Sequence, residues 1–171
     1  MVTVAIDPGL TGACAVLDHN GLRAVFDLPT MAIPGIGPGA MVQRKIDARA
    51  LLDMLLKHIP IGEAANAVIE AVGTMGGKNN AVQTQGSLLR SLGAIEAVIE
   101  CSRIGLSYAH PQTWKGYFGL LCRDDSPTRR KAIARDCARR LYPDCRELER
   151  AKDHNRAEAI LIGHYAQRGM P

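Results

Sequence analysis

The segment Val2-Thr3-Val4-Ala5-Ile6 ends in a carboxylate, Asp7, and passes at once into Pro8-Gly9 and then Gly12. β-Branched and apolar residues up to Ile6 read as a buried strand, while Pro-Gly, Thr11 and Gly12 force a tight turn into a second strand. Asp7 is thereby held at a strand end beside the core. An ionised carboxylate there costs several kcal/mol unless something positive meets it. A divalent cation is one answer, and a turn aspartate bonded to nearby backbone N–H groups is the plainer one. Two more acidic sites follow. Glu70 closes the apolar run Ala67-Val68-Ile69, where a strand end turning to solvent would also explain it. Lys152-Asp153-His154-Asn155-Arg156-Ala157-Glu158 leads into Ala159-Ile160-Leu161-Ile162. Glu158 is thus set among small and apolar residues of a helix that otherwise faces a core, and Asp153 stands where that helix needs a cap. Carboxylates brought together would suit hard cations such as Mg²⁺, which prefer oxygen ligands.

The elements that must position these groups can be read from the pattern. Strands over Val2–Asp7, Gly12–Asp18 and Leu22–Leu28 follow one another with short turns, His19-Asn20-Gly21 being a hairpin signal, and predict an antiparallel meander. A Pro/Gly-rich loop, 29–39, precedes a helix over 47–58, with Ala50, Leu51, Met54 and Leu55 at helical spacing. Asn66–Glu70 is the next strand, and 73–80 is a loop containing Gly76-Gly77. A long helix over 83–101 then buries Leu88, Leu92, Ile95 and Ile99, and a strand over 104–109 follows. Ser126-Pro127 opens a helix that Pro143 closes, and a last helix runs over 154–167. A helical crossover can return the chain beside its first strand, setting Asp7 next to Glu70. The class is α/β, a mixed five-stranded sheet flanked by helices, with its first three strands antiparallel.

Composition narrows the function. With 171 residues, 47% of them hydrophobic, the chain is expected to fold as one domain over 1–171. It carries no apolar run long enough for a membrane span and no signal peptide, so a cytoplasmic place and no membrane partner are expected. Five cysteines without a Cys-x-x-Cys pair indicate neither a disulfide framework nor a zinc site. The net charge is +4, but residues 115–140 hold eight basic side chains (Lys115, Arg123, Arg129, Arg130, Lys131, Arg135, Arg139, Arg140) against Asp124, Asp125 and Asp136. Such a local excess attracts phosphate-rich partners, nucleic acid first, although a solvated helix face would look the same.

Taken in order, Ile-Asp7-Pro-Gly-x-x-Gly12, Val-Ile-Glu70, Pro111-x-x-Trp-Lys115 followed by a glycine-containing loop and a basic helix, and Asp153…Ala-Glu158-Ala span nearly the whole chain. This set resembles the RuvC-type Holliday junction resolvases of the ribonuclease H-like superfamily, most closely those of phages and prophages. The resemblance implies a ribonuclease H-like fold and a homodimer that cuts four-way DNA junctions by paired symmetric nicks. The host would be a bacterial or phage-infected cell, and no small-molecule cofactor is implied. Two divalent ions are implied, normally Mg²⁺ with Mn²⁺ able to substitute, held by four acidic side chains. Asp7 would bridge both ions, Glu70 would hold one, and Asp153 with Glu158 would complete the other. Nicks ending in a 5′-phosphate and a 3′-hydroxyl would result. Lys115 and Lys152 are candidates for neutralising the scissile phosphate. Lys115, Arg129, Arg130, Lys131 and Arg135 would line the DNA path, joined by Met75 and Lys78 of the 73–80 loop.

Two departures stand out. In the family the last two acids lie three residues apart on one helical face, whereas Asp153 and Glu158 are five apart, about 140° around an ideal helix. Asp153 could converge with Glu158 only from outside the helix proper, which leaves His154 and Asn155 as other choices for the fourth ligand. The family's aromatic wedge, three residues after the strand glutamate, is Gly73 here, and Met75 is the apolar side chain that could insert instead. Rival readings are a ribonuclease H-like nuclease acting on other branched DNA or on RNA-containing substrates, a non-catalytic nucleic-acid-binding relative, and the ATP-binding turn of the actin and sugar-kinase fold. The last needs two domains and gives the basic helix no role.

Overall fold

The computed structural model describes residues 1–33, 43–73, 82–122 and 125–170. A five-stranded sheet has the order β3-β2-β1-β6-β7, built from β1 (Val2–Asp7), β2 (Ala13–Asp18), β3 (Gly21–Asp27), β6 (Ala65–Glu70) and β7 (Gly105–Ala109). β1, β2 and β3 pair antiparallel, and β6 and β7 continue from β1 in parallel. The expected mixed α/β sheet is therefore present. The turn from β1 to β2 is as tight as its glycines suggest. Gly9 has φ +137°, Gly12 N–H bonds to Gly9 O at 3.1 Å, and a Cβ on Gly12 would lie 2.1 Å from Asp7 O. Only glycine fits there.

The 29–39 stretch is not wholly a loop. Thr30–Ile33 (β4) pairs antiparallel with Gln43–Ile46 (β5), and the Arg44 guanidinium donates to both Thr30 Oγ1 and Thr30 O. Prolines and glycines mask this short pair at sequence level, because the chain between its strands has turn composition. Asp47 caps helix α1 (Ala48–His58) by accepting from Ala50 N–H at 3.0 Å. Helix α2 (Val82–Cys101), helix α4 (Pro127–Leu141, capped by Ser126) and helix α5 (His154–Arg168) lie where periodicity places them. A short helix, α3 (Pro111–Tyr117), begins at Pro111 and carries Trp114 and Lys115.

The sheet separates two cores. Val2, Val4, Ile6, Ala67 and Ile69 face α1 and α2, burying Leu51, Leu55, Ile95, Val98 and Ile99. The alternate residues, Ala5, Ala15, Leu17 and Val68, meet Trp114 and the apolar run 159–162 of α5. Each such fully buried Leu or Ile contributes about 1.5–3 kcal/mol of transfer free energy. α5 crosses the sheet at Gly163, where a Cβ would come within 2.3 Å of Leu17 Cδ1 and 3.1 Å of Ala5 Cβ. This close approach fixes the helix over β1, and the functional groups inherit their positions from it.

Candidate metal centre

Strand alternation aims Asp7 and Glu70. Ala5 and Val68 face α5, so residues two further along, Asp7 and Glu70, lie on that same face. The parallel register Ile6↔Ile69 sets them side by side at the strand ends. From the contact of Gly163 with Ala5, Glu158 lies five residues back along α5, about 7.5 Å of rise. Asp7 lies two residues on along β1, about 6.6 Å. Helix and strand thus deliver their acids to one place, and carboxylate oxygens of Asp7, Glu70 and Glu158 all lie within 4.8 Å of one another.

Few protein groups compensate the charge gathered there. Lys115 Nζ is 3.4 Å from Glu158 Oε2 and 3.7 Å from Glu70 Oε1, and it sits 4.8 Å from the centroid of the Trp114 ring. The buried indole Nε1–H of Trp114 donates to Glu70 Oε1 at 3.1 Å. Trp114 and Lys115, both from α3, therefore hold one oxygen of Glu70. Burial pushes Asp7 well above the ordinary carboxylate range, and the charges of Glu158 and Glu70 add to the rise. Glu70 is raised too, again by burial first, against the pull of Lys115. Buried like charges that repel each other are relieved either by taking up a proton, which is what the raised values express, or by a cation that joins them. Three hard oxygen donors at this spacing fit a divalent ion of the Mg²⁺ type.

The fourth expected acid is elsewhere. Asp153, 3% exposed, accepts from the backbone N–H of Arg150 at 2.8 Å and from its guanidinium, with Arg156 Nη1 3.8 Å away. These arginine bonds hold its carboxyl below the usual range although burial acts the other way. Its side chain makes no cap bond to α5. The five-residue offset from Glu158 explains the separation, since Asp153 begins the helix on another side. His154 does not join the cluster either. Asn155, three residues before Glu158 and on its face, donates its amide to Thr11 O in the β1–β2 turn. Arg156 makes a two-pronged bond to Asp27 at the end of β3, 2.6 and 2.7 Å, and so anchors the start of α5 to the sheet. Neither this clamp nor the indole bond to Glu70 has a signature in the sequence, where Trp114 is only part of a motif and Lys115 a candidate for meeting phosphate.

The basic candidates divide. Lys115 is at the centre. Arg130 and Lys131 are exposed near it, and among the described residues neither has an ion-pair partner. Arg129 pairs with Asp125 at 2.9 Å, and Arg135 is largely covered, with Nε unbonded. Lys152 is exposed. Met75, Lys78, Arg123 and Asp124 lie outside the described residues.

Solved structures supply the comparison. A Thermus thermophilus RuvC in complex with a Holliday junction superposes with a TM-score of 0.58 at 14% identity, over 99% of this chain and 97% of that one. A second Thermus thermophilus RuvC structure gives 0.56 at 17%, with the same coverage. This chain has the fold of RuvC. A Fowlpox virus resolvase with Holliday junction DNA gives 0.49 at 11%, over 97% of this chain and 96% of that one. No protein-family model matches the chain, and no curated protein does.

Proposed function

We propose that this chain is a metal-dependent endonuclease that resolves four-way DNA junctions by paired symmetric nicks. The observation that carries the reading is the convergence of Asp7, Glu70 and Glu158, with Lys115 beside them, at one end of a RuvC-like sheet. The three carboxylates are the groups that would hold Mg²⁺, or Mn²⁺ in its place. Divalent ions, when bound, supply an activated water and stabilise the departing 3′-oxygen, which gives 5′-phosphate products. Lys115 then has a second use. With Glu70 and Glu158 engaged in holding a cation, its ammonium would be free to turn to the scissile phosphate. Trp114 keeps one Glu70 oxygen occupied and orients the other. Asn155 contributes an amide three residues before Glu158, where the resemblance implies an acid, so among the described residues three carboxylates would share the task.

The two-fold symmetry of a junction calls for a two-fold dimer. On α2, Val98 belongs to the core, whereas Leu89 is 47% exposed and available to a second copy. Labelled four-way junction, duplex and flap substrates, each with Mg²⁺ or with EDTA, test the proposal. Paired nicks in the junction with Mg²⁺ alone are expected, with sedimentation giving a dimer at micromolar concentration. A preference for flap or RNA-containing substrate would favour the broader nuclease reading, and metal-independent binding without any cutting would favour the non-catalytic one.

A further inference from the structure

Beside the carboxylates lies a groove of about 480 Å³ between α3, the segment 120–122 and α4. It is lined by Glu158 and Lys115, by Leu120 and Leu121 and, from α4, by Arg130 and Lys131. The chain builds it deliberately. After α3 the backbone reverses at Gly119, φ +66°, and Leu120 N–H bonds back to Lys115 O at 2.8 Å. This reversal lays Leu120 and Leu121 beside the first turns of α4. Leu121 remains 56% exposed, an apolar side chain left in water at the mouth of a basic groove.

We infer that this groove is a subsite for one unstacked nucleotide of the cleaved strand, its base against Leu120 and Leu121 and its phosphate on Arg130 and Lys131. The inference rests on the nuclease reading and deepens it. Charge complementarity selects the occupant: among the described residues Arg130 and Lys131 have no ion-pair partner within 4.0 Å, while Arg129 on the same helix does. The volume falls within the range of small-ligand pockets, about 300–1,000 Å³, and so suits a single nucleotide and excludes a duplex. Continuity with Glu158 and Lys115 puts that nucleotide next to the carboxylates that would engage the scissile phosphate. Lys131 is also near enough for Asp7 to feel its charge. Enzymes that pull a base from the stack hold it between apolar side chains in this manner.

Two measurements test the subsite. Methyl NMR of the leucines is followed while deoxythymidine 3′,5′-bisphosphate or inorganic phosphate is added to the full chain. The bisphosphate is expected to move the Leu120 and Leu121 methyl signals, and phosphate alone is not. The Arg130→Ala, Lys131→Ala pair should weaken the effect at least fivefold. In parallel, Leu121→Ser, at an exposed position that leaves folding intact, should slow junction cleavage about tenfold with junction affinity little changed. Silent methyls at millimolar bisphosphate, or equal shifts with phosphate alone, overturn the subsite whether or not DNA is cut. So does a Leu121→Ser protein that cleaves at the wild-type rate. Methyl shifts specific to the bisphosphate in a protein that cuts no DNA would leave the nucleotide subsite standing and remove the endonuclease reading.

Discussion

Asp7 and Asp18 sit at opposite ends of the antiparallel β1–β2 pair, both next to the core, and their surroundings could hardly differ more. Asp18 accepts from Asn20 N–H at 2.6 Å, Gly21 N–H at 3.1 Å and Arg23 Nε at 2.6 Å, while the same arginine forks onto Glu63. The bond from Arg23 holds Asp18 below the ordinary carboxylate range, and Glu63 is lowered by the same arginine. At the other end, burial and two neighbouring glutamates drive Asp7 upward. One end of the sheet pairs its acids within the fold; the other gathers three carboxylates with Lys115 beside them. A protein that accepts such internal repulsion trades stability for a function at that place.

The largest effect expected from breaking this contrast is at Asp7. Asp7→Asn should abolish nicking, a loss of at least a thousandfold, because a metal ligand disappears. The same change should raise the metal-free melting temperature by roughly 2–6 °C, since a buried like-charge contact goes with it. Asp18→Asn should do the reverse, lowering the melting temperature and leaving the catalytic rate alone. Gel assays on a labelled junction together with calorimetric melts decide the matter. A destabilised Asp7→Asn protein would mean that Asp7 is another paired structural acid.

Next in size is Trp114→Phe. The aromatic ring largely remains but the donor to Glu70 is lost, and outer-shell partners of this kind typically carry about 10–100-fold in metal affinity. Mn²⁺ titration by calorimetry should show a weakening in that range with the melting temperature only modestly lowered. Trp114 is the sole tryptophan of the chain, so its fluorescence in the wild type should respond to Mg²⁺. Unchanged Mn²⁺ affinity in the variant would reduce the indole bond to a packing detail.

These two sites also differ in how far the sequence exposes them. Asp7 and Glu70 are legible because strand alternation is a local rule: an acid after an apolar run, twice, on strands that a crossover makes neighbours. Glu158 is legible because its flanks are small and apolar. Asp153 misleads, since cap position and ligand position look alike along the chain, and its carboxyl takes neither, being held by Arg150 and Arg156. The clamp of Arg156 on Asp27, 129 residues apart, has no local signature at all. The β4–β5 pair is hidden in the same way, its pairing set by Arg44 and Thr30 across a stretch of turn composition. What periodicity dictates is visible in advance; what long side chains choose across the fold is not.

The two ends of the sheet also predict opposite pH slopes. Asp7 and Glu70 have raised values in the folded protein, so the folded state holds more protons than the unfolded chain above about pH 4, and stability falls as pH rises. Asp18, Glu63 and Asp153 are lowered, so the stability they provide is present above the ordinary carboxylate range and is lost as pH falls through their lowered values. Metal-free melts should therefore pass through a maximum and decline toward neutral pH. Saturating Mg²⁺ should flatten that decline, and Asp7→Asn should reduce it. A monotonic rise to pH 7 without metal would show that the three carboxylates are compensated within the protein.

The smallest expected effect carries the same contrast between paired and unpaired charge to α4. Arg130 and Lys131 have no acidic partner among the described residues, whereas Arg129 is tied to Asp125. A cation that releases a counterion on meeting phosphate steepens the salt dependence of binding, by a slope of about 0.9 for each phosphate contact. Arg130→Ala with Lys131→Ala should therefore flatten the slope for junction DNA by nearly 2 and weaken binding most at low salt. Arg129→Ala should change it by well under 1, because releasing Asp125 leaves a carboxylate facing the DNA. Titration of both variants against junction and linear duplex over a salt series separates the cases. Equal slopes for the two variants would mean that pairing in the free protein does not decide which arginines meet DNA. A loss confined to the junction would instead make the unpaired side chains of α4 readers of branched geometry, since duplex phosphates alone would then fail to engage them.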